Sequence, residues 1–436
     1  MINWAQEVKY LSSEYSDSNQ SFKFKFSFDG QELELNLSHS IKSALPIESI
    51  EKIGFNIGMC YLVDLAEIVL PKKVTIYKKL EPLALNYWVN LLEEVVVEKL
   101  YALKLPSSMK YMEWENGSEP QDAPLAALPK NRDHAALCLT GGKESLAILK
   151  TLEGKKPLLL FFLNPEPNVH RQRAYNAVKD SFLTTKTISD RQDSLDLLEK
   201  SYGGLQSGVD MAHLVFNTML YADKCEYVLI GNEYSSNISN DIYEGNVVNH
   251  QYVKTIHFAE KLNKYVHGFV TEEFSYHSPF FGMYEILIAD LLFKDDKYLD
   301  VWTSCNQTTP EINFCSKCYK CAFTYLIART KKTEDYLLKF FSHNMLEDVE
   351  LFKPLMDFVG IKPLDCVGDK SEVWVCLEML LEQGLEFPVL KYYKENIRPQ
   401  IVDELPEFRS HVTTIQGTPF GYPKDVEKIF LEALKK

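Results

Sequence analysis

The sequence predicts an α/β protein: a doubly wound parallel sheet, with an N-terminal α+β domain before it and a helical C-terminal extension after it. Three observations carry this expectation. Two period-two runs flank an Asp-Gly pair near the start, dense apolar runs alternate with helical stretches from residue 134 onward, and the text beyond residue 330 is helical throughout. The expected divisions are an N-terminal domain over 1–105, a linker over 106–133, a nucleotide-binding α/β domain over 134–300, and a cysteine-bearing helical region over 301–436.

The N-terminal domain opens on a hairpin. Phe22, Phe24, Phe26 and Phe28 alternate with Ser21, Lys23, Lys25 and Ser27, and beyond Asp29-Gly30 the residues Leu33, Leu35 and Leu37 alternate with Glu32, Glu34 and Asn36. Alternation on both sides of an Asp-Gly turn buries one face of two antiparallel strands. Helices are expected at about 48–69 and 82–103, with a short strand near 74–77 between them. From about Pro106 to His134 the chain is rich in Pro, Gly, Ser, Asn and Asp without apolar periodicity, as at Asn116-Gly117-Ser118-Glu119-Pro120, and reads as a connection.

After it the grammar changes. Short apolar runs at about 135–139, 157–163, 183–189 and 227–230 are separated by helical segments, including one over 208–223. Strands buried on both faces with helical crossovers make a parallel sheet.

A chain of 436 residues with 46% apolar and 25% charged residues can bury full-sized cores. Lys plus Arg number 47 against 61 Asp plus Glu, a net charge of -14. Such a surface repels phosphate backbones and anionic lipid, so neither nucleic acid nor membrane is an expected partner. No apolar run approaches the roughly 20 residues of a membrane helix, and the N-terminus lacks the pattern of a signal peptide. A cytoplasmic location is expected. There the odd count of nine cysteines, four of them crowded together, points to metal or redox chemistry.

Three constellations carry chemistry. Thr140-Gly141-Gly142-Lys143-Glu144-Ser145 follows the first parallel strand and precedes a helix. Its glycines allow close approach to a phosphate, the helix N-terminus adds a dipole, and Lys143 adds a cation. The spacing is not that of a Walker A loop, and a Gly-Gly turn with a serine cap is the plainer reading. Cys305, Cys315, Cys318 and Cys321 are spaced C-x9-C-x2-C-x2-C, suited to a closed tetrahedral Zn²⁺ site, with an iron–sulfur cluster as the chemical rival. Finally, Gly231-Asn232-Glu233-Tyr234 leaves the fourth parallel strand, followed by Asn249-His250-Gln251 and Lys254. Polar residues at strand carboxyl ends face a ligand in such sheets.

Together the Thr140–Ser145 loop and the four cysteines resemble the PP-loop ATP pyrophosphatase superfamily, with its Ser-Gly-Gly-x-Asp-Ser loop. Of its zinc-bearing branches, the sequence is most similar to the UDP-N-acetylmuramoyl-L-alanyl-L-glutamate epimerase family. That resemblance covers roughly residues 20–380. It is carried by Gly231-Asn232-Glu233-Tyr234-Ser235-Ser236, Val248-Asn249-His250-Gln251-Tyr252-Val253-Lys254, Ser304-Cys305-Asn306, Phe314-Cys315-Ser316-Lys317-Cys318-Tyr319-Lys320-Cys321 and Lys362-Pro363-Leu364-Asp365-Cys366-Val367-Gly368. The 7-cyano-7-deazaguanine synthases share the cysteine motif but lack the long N-terminal domain.

The resemblance implies a PP-loop fold and an epimerase of peptidoglycan precursor synthesis that uses ATP and Mg²⁺, with Zn²⁺ as a structural ion. Its substrate would be a small nucleotide-linked peptide ending in glutamate. It implies that Thr140, Gly141, Gly142, Lys143, Glu144 and Ser145 bind pyrophosphate, that Asn232 and Glu233 line the site, and that His250 and Lys254 contact adenylate or substrate. Glu233 and His250 are the candidates for the base. Thr140 and Glu144 stand where the family has Gly and Asp, and Tyr234 stands where it has Arg. The rival expectations are a ligase that captures the same adenylate with an amine, and a scaffold that binds nucleotide without turnover.

Overall fold

The computed structural model describes residues 4–120, 123–166, 168–204, 208–305, 307–309, 312–357, 367–417 and 423–435. Asn306 and residues 362–366, singled out above, lie outside the described residues.

The hairpin forms where the alternation puts it. Strand β1 (Glu7–Ser16) precedes β2 (Ser21–Phe28) and β3 (Gln31–His39), and Phe28 pairs with Gln31 across the turn. Asp29 and Gly30 both take positive φ, 47° and 82°, which matches the twist of the two arms. Phe22, Phe24, Phe26, Leu35 and Leu37 are buried on one face, and Lys23 meets Glu34 at 3.0 Å on the other. β1 is absent from the sequence reading. Only Val8 and Tyr10 in it are buried, so its alternation is too weak to announce a strand.

Helix α1 (Ile47–Val69), β4 (Lys73–Ile76) and α2 (Pro82–Ala102) follow in the expected places, and β5 (Glu113–Glu115) forms inside the stretch read as a linker. Then come β6 (His134–Cys138), α3 (Lys143–Leu152), β7 (Leu158–Leu163), α4 (Val169–Val178), β8 (Leu183–Ser189) and α5 (Arg191–Tyr202). After these lie α6 (Asp210–Met219), β9 (Cys225–Leu229), α7 (Ile256–Phe269), β10 (Ser275–His277), α8 (Glu285–Leu292) and α9 (Tyr319–Arg329). Beyond α9 the described chain is helical, including 349–356, 370–382, 405–412 and 424–434.

These ten strands join one sheet in the order β10-β9-β6-β7-β8-β3-β2-β1-β4-β5, and two short strand pairs lie outside it. The pairings from β10 to β8 are parallel, as are β1 with β4 and β4 with β5, while β1, β2 and β3 pair antiparallel. The join is the antiparallel pair of β8 with β3, Thr187 opposite His39. The hairpin and the parallel strands therefore share one backbone ladder.

Alternate residues of the central strands feed two cores. Ala136, Cys138, Leu159, Phe161 and Val228 pack with α1, α2, α6 and α7, whereas Ala135, Leu137, Leu158, Leu160 and Leu229 pack with α3, α8, α9 and the C-terminal helices. Burying such a side chain stabilises by roughly 1.5–3 kcal/mol, an upper figure against a compact unfolded chain. β7, with Leu159, Leu160, Phe161 and Phe162 each at most 1% exposed, anchors both layers. The chain proceeds from β6 to β7 on one side and reaches β9 on the other, so the order reverses at β6. A crevice opens at the carboxyl ends of strands flanking such a reversal. Among the described residues no helix is long and apolar enough to cross a membrane.

Candidate active site

A cavity of about 330 Å³ opens at that reversal, walled by the loop after β6, the loop after β9, the start of α8 and residues 303–305. Thr140, Gly142, Lys143, Glu144, Ser145, Asn232, Glu233 and Lys254, all singled out in the sequence, line it.

The Thr140–Ser145 loop is shaped by its own short bonds. Gly141 has φ +81°, a conformation L side chains rarely adopt, and Gly142 is the N-cap that precedes α3. The Gly142 N–H donates to Thr140 Oγ1 at 3.4 Å, the Thr140 N–H to Ser145 Oγ at 3.3 Å, and the Ser145 hydroxyl to the Gly142 carbonyl at 3.1 Å. The turn with a serine tie is therefore real. It also lies at the first turn of a helix, facing a cavity, where an anion is favoured.

Lys143 is buried and its ammonium sits between Glu144 Oε1 and Glu285 Oε2, each 2.7 Å away. Burial opposes its charge, but Glu144, Glu285 and Glu233 outweigh that and hold it well above the usual lysine range. Glu144 is held low: burial would raise it, and Lys143 and Lys254 prevail. Glu285 goes the other way. Burial, with Glu233 and Glu144 adding to it against Lys143, pushes its carboxyl up to about 7. Behind it Glu372 accepts the Ile286 N–H at 2.8 Å, and burial beside Glu285 pushes that carboxyl well above its ordinary range.

The loop after β9 completes the wall. Asn232 is locked by exchange with Ser278, its N–H donating to the hydroxyl at 2.9 Å and its carbonyl accepting from it at 2.8 Å, and its side-chain amide reaches the Tyr276 hydroxyl. Glu233 Oε1 accepts from Gln251 Nε2 at 2.9 Å. Gly231 allows this wall to touch the first loop, since a Cβ there would lie 2.5 Å from Glu144 Cβ.

Not every expected residue faces the cavity. His250 turns away to Glu98, its Nδ1 2.7 Å from the carboxylate, and does not line the cavity. Tyr234 packs on Tyr284 and His411, with ring centroids 5.0 and 6.0 Å apart. Glu285, His170, Arg171, Asp210, Thr303, Ser304 and Lys320 line the cavity without having been singled out as site residues. Arg171 follows a parallel strand at its carboxyl end, so the rule that selected Glu233 could have found it. Glu285 carries no such signal, because an acidic residue at a helix start is ordinary.

A second cavity of about 250 Å³ adjoins the first, sharing Cys138, Thr140, Arg171, Asp210, Met211 and Leu214. Asp64 of α1, fully buried, fixes its floor by accepting from Arg191 Nε at 3.0 Å and the Val209 N–H at 3.1 Å and meeting His213 Nε2 at 2.8 Å.

The four sulfurs of Cys305, Cys315, Cys318 and Cys321 lie within 4.8 Å of one another and are placed to hold a metal ion. Tetrahedral Zn–S bonds of about 2.3 Å put sulfurs about 3.8 Å apart, and Cys315 and Cys321 stand at 3.7 Å. Backbone N–H groups of Gln307 and Cys315 point at Cys305 Sγ at 3.2 and 3.4 Å, as suits a thiolate. This cluster is tied to the first loop, for the Thr303 N–H donates to the Gly141 carbonyl at 3.0 Å and Cys305 lines the cavity.

Comparison with known proteins adds a family. Residues 3–279 match the model of the MurL N-terminal domain and residues 301–405 that of the MurL C-terminal domain. Among curated proteins, the UDP-N-acetyl-alpha-D-muramoyl-L-alanyl-L-glutamate epimerase of Micromonospora sp. is 26% identical over 312 residues, 67% of this chain and 66% of the relative. The proteins of the same name from Xanthomonas oryzae pv. oryzae and Salinispora tropica are 27% and 28% identical, covering 45% and 44% of this chain and 45% and 43% of their own lengths. The chain thus spans between about two fifths and two thirds of the curated relatives it matches. No solved structure matches.

Proposed function

The chain belongs to the MurL family, and from that premise we propose that it epimerises the terminal L-glutamate of a UDP-muramoyl-L-alanyl-L-glutamate-type substrate at the expense of ATP. The observation that carries the ATP requirement is the loop Thr140–Ser145, opening a helix at the sheet's reversal point beside a buried lysine and three glutamates. In this reading the fold is of the PP-loop kind. The substrate's α-carboxylate attacks the α-phosphorus of ATP, an acyl-adenylate forms, and pyrophosphate leaves into the loop. Forming this mixed anhydride removes the carboxylate's negative charge, so the neighbouring Cα proton becomes acidic enough for an ordinary base. The proton then returns to the opposite face, and water hydrolyses the adenylate to release AMP.

Thr140, Gly141, Gly142, Lys143, Glu144 and Ser145 would hold the phosphates, with Asn232 and Lys254 across the cavity. Glu233, which reaches the cavity, replaces His250 as the better candidate for the base. Mg²⁺ suits a site with a few carboxylates beside phosphates, where it neutralises the departing charge. Cys305, Cys315, Cys318 and Cys321 would hold one Zn²⁺ that fixes the 303–305 wall.

The deciding experiment is reaction in D₂O with a peptide ending in L-glutamate. Deuterium should appear at that Cα in an ATP- and Mg²⁺-dependent manner, with D-glutamate in the product. AMP release with a new amide and an untouched Cα–H would replace this reading by a deazaguanine-type ligase. The loop is probed separately. Gly231→Ala sets a methyl group against Glu144 and should lower substrate-dependent AMP release by about 100-fold, the scale set by a displacement of about 1 Å, with the far-UV spectrum unchanged. Turnover at the wild-type rate would show that the contact between the two loops is idle.

A further inference from the structure

We propose that Arg171 sets substrate specificity, its guanidinium gripping the side-chain carboxylate of the terminal glutamate, the one that is not adenylated. The proposal rests on the epimerase reading above and adds to it a residue and a recognition chemistry.

Arg171 lines both cavities, together with Thr140 of the phosphate loop, so a group bound there lies beside the reacting centre. Its position is fixed at two points. The backbone N–H donates to Asn168 Oδ1 at 3.2 Å, and Nη1 donates to the Leu163 carbonyl at 2.8 Å. Its Nε–H is buried and has no acceptor among the described residues. A buried donor without a partner is unfavourable, and a ligand acceptor would relieve it.

Lys254 and Lys320 also line the first cavity, and two further cations of the cavities are held by carboxylates. Lys143 is held between Glu144 and Glu285, and Arg191 donates to Asp64. Arg171 feels the attraction of Asp210 but makes no ion pair with it among the described residues. It therefore has capacity for an incoming anion.

The substrate's chemistry supplies one. A glutamyl terminus carries two carboxylates, and only activation of the one next to Cα acidifies the Cα proton. An enzyme that must present that one to ATP gains by seizing the other. A guanidinium does this in a directed, planar manner that a lysine cannot copy.

The test uses the full chain with two synthetic substrates, UDP-muramoyl-L-alanyl-L-glutamate and its terminal L-glutamine analogue, and follows AMP release. The wild-type protein should prefer the acid by at least about 100-fold in kcat/KM, as expected when a site loses a partner for a built-in donor. In Arg171→Gln this preference should fall to within roughly threefold through a raised KM for the acid, while the KM for ATP moves by less than about threefold. Arg171→Lys should restore part of the preference through charge alone. Equal use of acid and amide by the wild-type protein would overturn the proposal, even if neither variant folds. So would an undiminished preference in either variant, or a loss that falls on the KM for ATP. If the wild-type protein releases no AMP with either substrate, the epimerase reading falls first and this assignment with it.

Discussion

Lys143→Met is expected to lower folding stability by about 3–5 kcal/mol and to abolish AMP formation. Methionine keeps much of the lysine stem but removes the charge that sits 2.7 Å from both Glu144 and Glu285. The buried Glu285 and the half-buried Glu144 are then left without their counter-ion, and the loss reflects that more than the worth of the intact pair. The pH dependence identifies the cause. Glu285 already lies at about 7 in the folded protein, above its ordinary value, so its contribution to stability is present at acid pH and is lost as pH rises through about 7. Without Lys143 the folded value of Glu285 must rise further, and that of Glu144 must rise from its lowered position. The variant's deficit relative to wild type should therefore widen between about pH 5.5 and about pH 8, as read from urea denaturation at each. A deficit that is equal at both would mean that the charge cluster plays no part, and that only packing was lost.

The second large effect concerns the cysteines. With one structural Zn²⁺ proposed there, Cys318→Ala or extraction with a strong chelator should remove several kcal/mol of stability, since zinc-binding free energies of about 10–16 kcal/mol in small folds appear directly as folding free energy. Part of the fold should survive, because the core packed on α1, α2, α6 and α7 contains none of the four cysteines. The Thr303-to-Gly141 hydrogen bond and the place of Cys305 in the cavity wall mean that the loop should loosen as the metal leaves. Metal analysis should return one zinc per chain, and hydrogen exchange at the amides of the Thr140–Ser145 loop should speed up in the depleted protein. Zinc-free purified protein, or iron accompanied by sulfide, would refute the assignment.

What the sequence by itself determined is what depends on neighbours along the chain. Phe22 to Leu37 fold as a hairpin because alternation and an Asp-Gly turn are local instructions. β6, β7, β8 and β9 form where short apolar runs stand, and the Gly-Gly loop opens α3 because a strand and a helix adjoin it. The cysteine spacing was enough to bring four sulfurs together. The tertiary structure alone decided what depends on distant pairs. It joined β3 to β8, so that hairpin and parallel strands make one sheet, through a pairing whose partners carry no mark of each other. It brought Glu285 to Lys143 and left the Nε–H of Arg171 without an acceptor among the described residues, at the junction of two cavities. It also took His250 out of the cavity by giving it Glu98, a residue of α2. The reason is physical: periodicity reports which face of an element is buried, whereas the identity of an ionic partner is set only when two elements pack and water is excluded between them.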